Sequence, residues 1–438
     1  MKIKMLASAA CAALMIPIAP VSAATTPALP GTSQVTNSSA EQAVAAFYAS
    51  RSGAPLWLGG GGDGSAATAL IGTLQRASLD GLPSGPALAA EAQSLLARAR
   101  AGDAAALSSA ERLLSTAWVL YVQALQTPPA GMTYADSWVT PRRRSPEQIL
   151  AAAASASSLA SHVRSVTSVN PIYAQLRDAA WAQVQANGGR VDPRVAASLE
   201  RARQAPFQKR YVVVDAASAR LFMIDNNRIV DSMKVIVGKP SSQTPMLAST
   251  IYHATLNPYW NVPGDLVRKL IAPRVLQQGL GYLEQHGYEV LSDYGKDAEP
   301  VAPSAVDWQA VANGQAIVKV RQLPGPANSM GRLKFGFPNA ADIYLHDTPK
   351  KELFSQADRD LSNGCIRVED AARLGRWLIG REPVATSSEP EQHVLLPTPV
   401  PVYVTYLTAN VDGGQLTFVN DVYGRDAQRL SQVAALRY

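Results

Sequence analysis

Cysteine is scarce in this chain, which has two cysteines among its 438 residues. Cys11 lies within an N-terminal segment that has the features of an export signal, so the exported protein would keep Cys365 alone. A lone cysteine excludes an internal disulfide, and it is either a buried apolar side chain or a free thiol kept for a purpose. Because oxidising compartments penalise idle thiols, Cys365 is the first candidate functional residue.

Long apolar segments are also missing, apart from one near the start of the chain. Lys2 and Lys4 precede an apolar stretch at 5–19, which is too short to span a bilayer comfortably, and Ala23 ends a small-x-small cleavage site. We therefore interpret residues 1–23 as a cleaved signal peptide, with an uncleaved membrane anchor as the alternative.

Charge of one sign is not in strong excess. The net charge is +6, it falls to +4 once Lys2 and Lys4 leave with the signal, and no basic stripe with interleaved aromatic residues occurs. The sequence therefore does not predict a nucleic-acid binder. No HExxH motif, paired CxxC motif or acidic calcium loop is present, so neither a metal nor another cofactor is predicted.

Composition divides the chain into regions with different sequence patterns. Residues 24–38 are rich in Thr, Pro, Ser and Ala and are interpreted as a linker. Residues 39–206 are Ala-rich with helical periodicity interrupted by Gly and Pro, which predicts an all-helical scaffold domain. Short β-type runs dominate 207–438, and a helical, loop-rich insertion is expected at 264–321. The predicted fold class is multidomain α+β.

A histidine and a glycine–cysteine pair form the strongest candidate site. A thiol attacks an amide only as its thiolate, and an imidazole such as His346 can take the thiol proton and later give it to the leaving amine. Gly364 permits a sharp turn that brings backbone N–H groups near the sulfur of Cys365, where they can stabilise an oxyanion. Arg367 is suited to binding a substrate carboxylate and to favouring the thiolate. A helix after Val368 would help further if Cys365 lay near its N-terminus.

The block from His346 to Arg367, with Ser362-Asn363-Gly364-Cys365 at its centre, resembles the signature of YkuD-type L,D-transpeptidases. Further stretches of 207–425 resemble the same family, among them 237–240, 257–263 and 320–335. The helical half resembles the scaffold domain of the large periplasmic members. Two departures are Asn363, where many members have histidine, and the lack of room for a peptidoglycan-binding module between the two regions.

The resemblance implies roles for several residues. The candidate catalytic residues are Cys365, His346, Gly364 and Asp347, the last as a group that orients His346 through its backbone carbonyl. The candidate substrate-binding residues are Arg367, Ser362, Asn363, Tyr344, Trp260 and Arg332. Packing is an equal alternative for Tyr344 and Trp260, and a surface charge is an equal alternative for Arg332. His253 is mostly expected to be a packing or surface residue, with lining of the cleft as the alternative.

The resemblance also implies an activity. Cys365 would attack the amide before the terminal D-alanine of a peptidoglycan tetrapeptide stem, form a thioester and transfer it to a second stem as a 3-3 cross-link. The insertion would act as a lid, carbapenems would acylate the thiol, and the protein would work in the periplasm on peptidoglycan stems. Hydrolysis of the same thioester by a carboxypeptidase or endopeptidase is the first alternative, and a non-catalytic wall-binding protein is the second.

Overall fold

A computed structural model describes residues 32–52, 54–58, 64–189, 191–204, 209–295 and 297–428. The predicted signal peptide lies outside these residues. Within them, no helix combines the length and the apolar character needed to cross a membrane.

Eight helices build the described part of the N-terminal region. They are α1 (Thr32–Ser50), α2 (Ser65–Gln75), α3 (Gly85–Arg100), α4 (Ala104–Leu125), α5 (Pro146–Ala154), α6 (Leu159–Ser168), α7 (Pro171–Ala186) and α8 (Pro193–Ala202). Five of them follow an Asp, Ser or Asn whose side chain accepts a hydrogen bond from the first turn. Helix α4 runs through the centre of their core, where Trp118 and Tyr121 are fully buried.

Two expectations for this region are corrected. Helix α1 begins at Thr32, inside the segment expected to be a linker, because no Gly or Pro interrupts the chain between Thr32 and the buried Ala40. The region is also not entirely helical. A strand of two residues, β1 (Thr133–Tyr134), joins the sheet of the C-terminal region by parallel pairing with the segment at Leu247 and Ala248. This strand is too short to leave a period-two signal in the sequence.

The C-terminal region is built on a large mixed sheet. The remaining strands among the described residues are β2 (Arg210–Asp215), β3 (Arg220–Asp225), β4 (Arg228–Gly238), β5 (Leu247–Leu256), β6 (Trp260–Val262), β7 (Tyr288–Leu291), β8 (Lys319–Gln322), β9 (Leu333–Gly336), β10 (Tyr344–His346), β11 (Asp360–Ser362), β12 (Ile366–Val368), β13 (Gln392–Thr405), β14 (Ala409–Asp412) and β15 (Gln415–Phe418). The sheet order is β1-β5-β13-β2-β3-β4-β12-β10-β9, and β11 pairs with β4. Because β9 pairs with β5 as well as β10, the sheet closes on itself around an apolar core.

Strands β6, β7 and β8 form a separate sheet that belongs to the insertion. The helices α9 (Gly264–Leu266), α10 (Ala272–Gln278), α11 (Gly281–Gln285) and α12 (Trp308–Ala312) pack on it around their own apolar cluster. The strands at its two ends extend it to 260–322, slightly beyond the expected 264–321, because β6 pairs with β8. Strands β14 and β15 form the hairpin around Gly413, whereas β13 pairs with β2 and β5.

Buried polar contacts connect the helical region to the sheet. Arg201 of α8 forms an ion pair with Asp426 and donates to the Tyr406 carbonyl, 3.2 Å away. Ser198 accepts a hydrogen bond of 2.9 Å from the Ala409 N–H. An apolar cluster shared by α7, α8 and the segment at 407–409 surrounds these contacts. The helical region is therefore packed directly against the sheet that carries the candidate site.

Candidate active site

Three neighbouring strands, β9, β10 and β12, carry the residues of the predicted site. His346 on β10 lies opposite Lys334 on β9 and opposite Arg367 on β12. Directly opposed residues of paired strands point to the same face of a sheet, and successive residues alternate between faces. Leu345 and Ile366 belong to the apolar core, so Lys334, His346 and Arg367 share the face that points away from it.

Cys365 lies on the same face as His346. It precedes Arg367 by two residues, and the parallel register of β10 and β12 places it one diagonal step from His346. Strand spacing and rise per residue put the two Cα atoms roughly 8 Å apart. An imidazole and a thiol that lean toward each other can bridge that separation.

A compact turn presents the thiol. The buried Ser362 hydroxyl donates to the Cys365 carbonyl at 2.6 Å and accepts from the Gly364 N–H at 3.1 Å. Gly364 has φ +117°, a conformation that side chains with a Cβ rarely adopt. The buried Thr244 hydroxyl donates to the Gly364 carbonyl at 2.7 Å and accepts from the Gly238 N–H at 2.9 Å. The turn is thus fixed from inside by Ser362 and from outside by Thr244.

The thiol of Cys365 is half-buried, and its sulfur lies 3.6 Å from the Asp342 carbonyl oxygen. Burial raises its pKa, because a thiolate loses hydration there. The Tyr344 N–H, Lys334 and Arg367 oppose that shift, since each stabilises a negative sulfur. The site therefore holds a neutral thiol among groups that favour its ionised form.

The His346 imidazole is buried, and a hydrogen bond fixes one of its two ring nitrogens. Its Nδ1 lies 2.6 Å from the Asp347 carbonyl oxygen, so Nδ1–H donates there and Nε2 is left as the proton acceptor. Burial is the main reason that its pKa falls to about 3, and the charge of Arg367 adds to this. The imidazole is thus neutral at neutral pH, which a general base requires.

Two cations, Lys334 and Arg367, lie beside His346. Neither Lys334 nor Arg367 forms an ion pair with any described residue, although both are half-buried and burial lowers the pKa of each. The Lys334 ammonium lies 4.0 Å from the centre of the Tyr344 ring. Burying an unpaired charge costs stability, so an arrangement of this kind is typical of a site that receives an anion.

Two family models match this chain over adjoining parts of its length. The model described as the L,D-transpeptidase catalytic domain, YkuD, matches residues 209–402, and the model described as the scaffold domain matches residues 42–179. The C-terminal region is a YkuD-type L,D-transpeptidase domain. A putative L,D-transpeptidase from Haemophilus influenzae (strain ATCC 51907 / DSM 11121 / KW20 / Rd) is 26% identical over 395 residues, which are 88% of this chain and 78% of that protein. The chain thus combines the scaffold and catalytic domains of the L,D-transpeptidase family.

Solved L,D-transpeptidase structures are also similar to this chain at low identity. The L,D-transpeptidase from Mycobacterium smegmatis is 13% identical, with 45% of this chain and 58% of that chain covered and a TM-score of 0.23. The match thus spans less than two thirds of the mycobacterial chain. The catalytic domain of the E. faecium enzyme, acylated by ertapenem, is 11% identical, with 45% and 98% covered and a TM-score of 0.23.

Within the L,D-transpeptidase domain, the remaining candidate residues lie in different surroundings. The Asp347 carboxylate does not face the imidazole, because Lys351 and the Arg332 N–H bind it at 2.7 and 2.9 Å. The side chains of Arg332 and Asn363 are exposed. Trp260 belongs to the insertion, where its ring lies 6.4 Å from that of Tyr288, which is a packing contact. The site thus brings Cys365, His346, Arg367, Ser362, Gly364 and Tyr344 together, and Asp347 joins them through its backbone.

Two side chains of the transpeptidase site were missed in the sequence. Lys334 and Thr244 reach it through pairings and turns that connect distant parts of the chain. The signal that could have identified Lys334 is its position in an alternating run between the apolar Leu333 and Phe335. His253 lies opposite Gly336, which in turn lies opposite Tyr344, so His253 is on the same face two strands away from Tyr344.

The condition under which the following helix would favour the thiolate is not met. Strand β12 separates Cys365 from the following helix, α13 (Ala371–Ile379), which begins with Asp370 as its cap. Because a helix dipole weakens beyond the first turn, it does not act on the sulfur. Among the described residues there is no group of three or more His, Cys, Asp or Glu side chains that could hold a metal ion.

Proposed function

We propose that this protein is a peptidoglycan L,D-transpeptidase that forms 3-3 cross-links through a Cys365 thioester. The observation that supports this most is the shared face of Cys365 and His346 on paired strands, with Nε2 of His346 free to accept a proton. A half-buried thiol, a neutral buried imidazole and unpaired cations are the groups that acyl transfer to and from a carboxylate-bearing peptide requires.

The first half of the reaction is acylation. The Cys365 sulfur attacks the carbonyl carbon of the amide between the diamino acid and the terminal D-alanine, while His346 takes the thiol proton. The Tyr344 N–H stabilises the negative sulfur before attack. The Cys365 N–H then stabilises the negative oxygen of the tetrahedral intermediate. The carbon–nitrogen bond then breaks, His346 gives its proton to the alanine nitrogen, and D-alanine leaves.

The second half transfers the acyl group. An amine of a neighbouring stem attacks the thioester carbon, its proton passes to His346, and the carbon–sulfur bond breaks as the thiol is regenerated. The insertion at 260–322 acts as a lid that holds stems and limits the access of water. The same thiol is proposed to be acylated by carbapenems, as the E. faecium domain is by ertapenem. The chain acts on stems in the periplasm after its signal peptide is removed.

Muropeptides test the transfer step. Purified tetrapeptide monomers incubated with the protein should give a cross-linked dimer and free D-alanine, separated by liquid chromatography and identified by mass. A trimmed tripeptide monomer without dimer would instead establish a carboxypeptidase, and loss of existing dimers would establish an endopeptidase. A Cys365→Ala variant is the control and should give none of these products.

Intact-protein mass spectrometry tests for catalytic competence separately. Incubation with a carbapenem should add one acyl mass to the protein with Cys365 and none to the Cys365→Ala variant. If the wild-type protein gains no mass and releases no D-alanine, the alternative of a non-catalytic wall-binding protein is favoured.

A further inference from the structure

We propose that Lys334 binds the terminal carboxylate of the donor stem, together with Arg367, and thereby selects donors that end in a free acid. The proposal rests on the function proposed above and adds a specificity-determining residue to it. Lys334 lies outside the cysteine signature and comes from a different strand.

Placement is the first argument. Lys334 and Arg367 lie on either side of His346, each directly opposite it in the strand pairing. A group bound above the imidazole therefore has Lys334 on one side and Arg367 on the other. The ammonium of Lys334 lies 4.0 Å from the centre of the Tyr344 ring, on the strand next to Cys365.

The chemistry of the leaving group is the second argument. His346 must give its proton to the alanine nitrogen, so the terminal D-alanine must lie next to the imidazole. Only the alanine α-carbon separates that nitrogen from the terminal carboxylate. The carboxylate is thus confined to the space between the two cations, where charge-assisted hydrogen bonds are strong.

The lack of a competing anion is the third argument. Burial lowers the pKa of Lys334, and the charges of Glu391 and Asp342 oppose that shift, yet neither of these described residues forms an ion pair with Lys334. Lys351 differs, because its ammonium is bound to the Asp347 carboxylate at 2.7 Å. Lys334 therefore remains available to a ligand, and its partial burial makes an incoming carboxylate the favourable partner.

Binding an anion there would also prepare the base. Burial is the main cause of the low pKa of His346, and Arg367 and Lys334 lower it further. A carboxylate between these cations would offset their charge and raise the pKa of the imidazole toward its usual value. The donor would thus strengthen the base that removes the proton from the attacking thiol.

A cycle of variants and ligands tests the contact. The ligands are a tetrapeptide stem with a free terminal carboxylate and the same stem with a terminal carboxamide. The proteins carry Cys365→Ala, so that binding is measured by calorimetry without turnover, either alone or combined with Lys334→Met, Lys334→Arg or Lys350→Met. Lys350 is exposed and serves as the matched control.

Lys334→Met should weaken binding of the acid about tenfold or more and binding of the amide less than about twofold. Lys334→Arg should restore most of the acid affinity, and Lys350→Met should change neither ligand. Equal losses for acid and amide in Lys334→Met, or no loss for the acid, would overturn the proposal. If the acid binds through Lys334 but the wild-type protein releases no D-alanine, the proposed function fails while this contact stands.

Discussion

The two faces of the catalytic sheet are built from alternate residues of the same strands, yet one face is apolar and the other carries charged and polar groups. One face, which includes Leu333, Phe335 and Leu345, is buried in a continuous apolar core. The other carries Lys334 and His346 within the same two short strands. The apolar face supplies stability through burial, whereas the polar face holds charges without partners.

This difference shows which face of the sheet lowers the stability of the protein and which face raises it. A neutral buried imidazole and two unpaired cations reduce stability, and the core directly beneath them offsets that loss. Changes on the polar face should therefore affect chemistry more than stability, and changes on the core face should do the reverse. The following four predictions test that separation in order of decreasing effect.

The largest effect is expected on the polar face. Cys365→Ser should lower D-alanine release by at least about 10³-fold, because a hydroxyl ionises far less readily than a thiol. Its free energy of unfolding should change by less than about 0.5 kcal/mol. Turnover assays and denaturant unfolding on the same preparation measure both. Unfolding at clearly lower denaturant would show that the two faces are not separable.

The matching change on the core face is Phe335→Ala. Phe335 is fully buried, and its removal should destabilise the protein by about 3–5 kcal/mol through lost burial and a cavity. Denaturant unfolding measures this, with the exposed Lys350→Ala as a control expected to stay within about 0.5 kcal/mol. A loss below about 1 kcal/mol would contradict the assignment of this face to the core.

Titration of His346 should link the polar face to stability. Its pKa is about 3 in the folded protein, below the ordinary value of 6.5, so the unfolded state takes up a proton that the folded state does not. Stability should therefore fall as pH drops below about 6.5, by about 2 kcal/mol at pH 5.

His346→Gln removes this proton uptake and should flatten that part of the curve. Unfolding measured between pH 5 and pH 8 in both proteins gives the comparison. Identical pH dependence in wild type and variant would mean that the imidazole is not held neutral by the fold.

The smallest effect is expected at the turn that presents the thiol. Ser362→Ala leaves the buried Gly364 N–H without its acceptor and should destabilise the protein by about 1–2 kcal/mol. Turnover should fall as well, because the turn loosens around Cys365. Ser355→Ala, which removes an exposed bond of 2.6 Å to the Glu352 carbonyl, is the matched control and should change neither. An unchanged Ser362→Ala protein would show that Thr244 alone holds the turn.

Much of the fold was predictable because its signals are local. Helix α5, within the region expected to be helical, begins at a capping box formed by Ser145 and Gln148 around Pro146, which is a local signal. The meander of β2, β3 and β4 was predictable from the short β-type runs of 207–438, and Asn226-Asn227 turns the chain between β3 and β4. Strand β1 and the closure of the sheet through β5 and β9 were not predictable, because pairing between strands that are distant in the chain gives no periodic signal in the sequence.

For the candidate site, the sequence by itself identified Cys365, His346 and the turn at Gly364 as the candidates. These residues lie close together in the chain, and their chemistry identifies them. The tertiary structure alone decided their surroundings: the carbonyl of Asp347 on the imidazole, the hydroxyl of Thr244 on the turn, and Lys334 beside His346. The physical reason is that a pKa and a charge environment arise from every neighbour in space, whichever part of the chain supplies it.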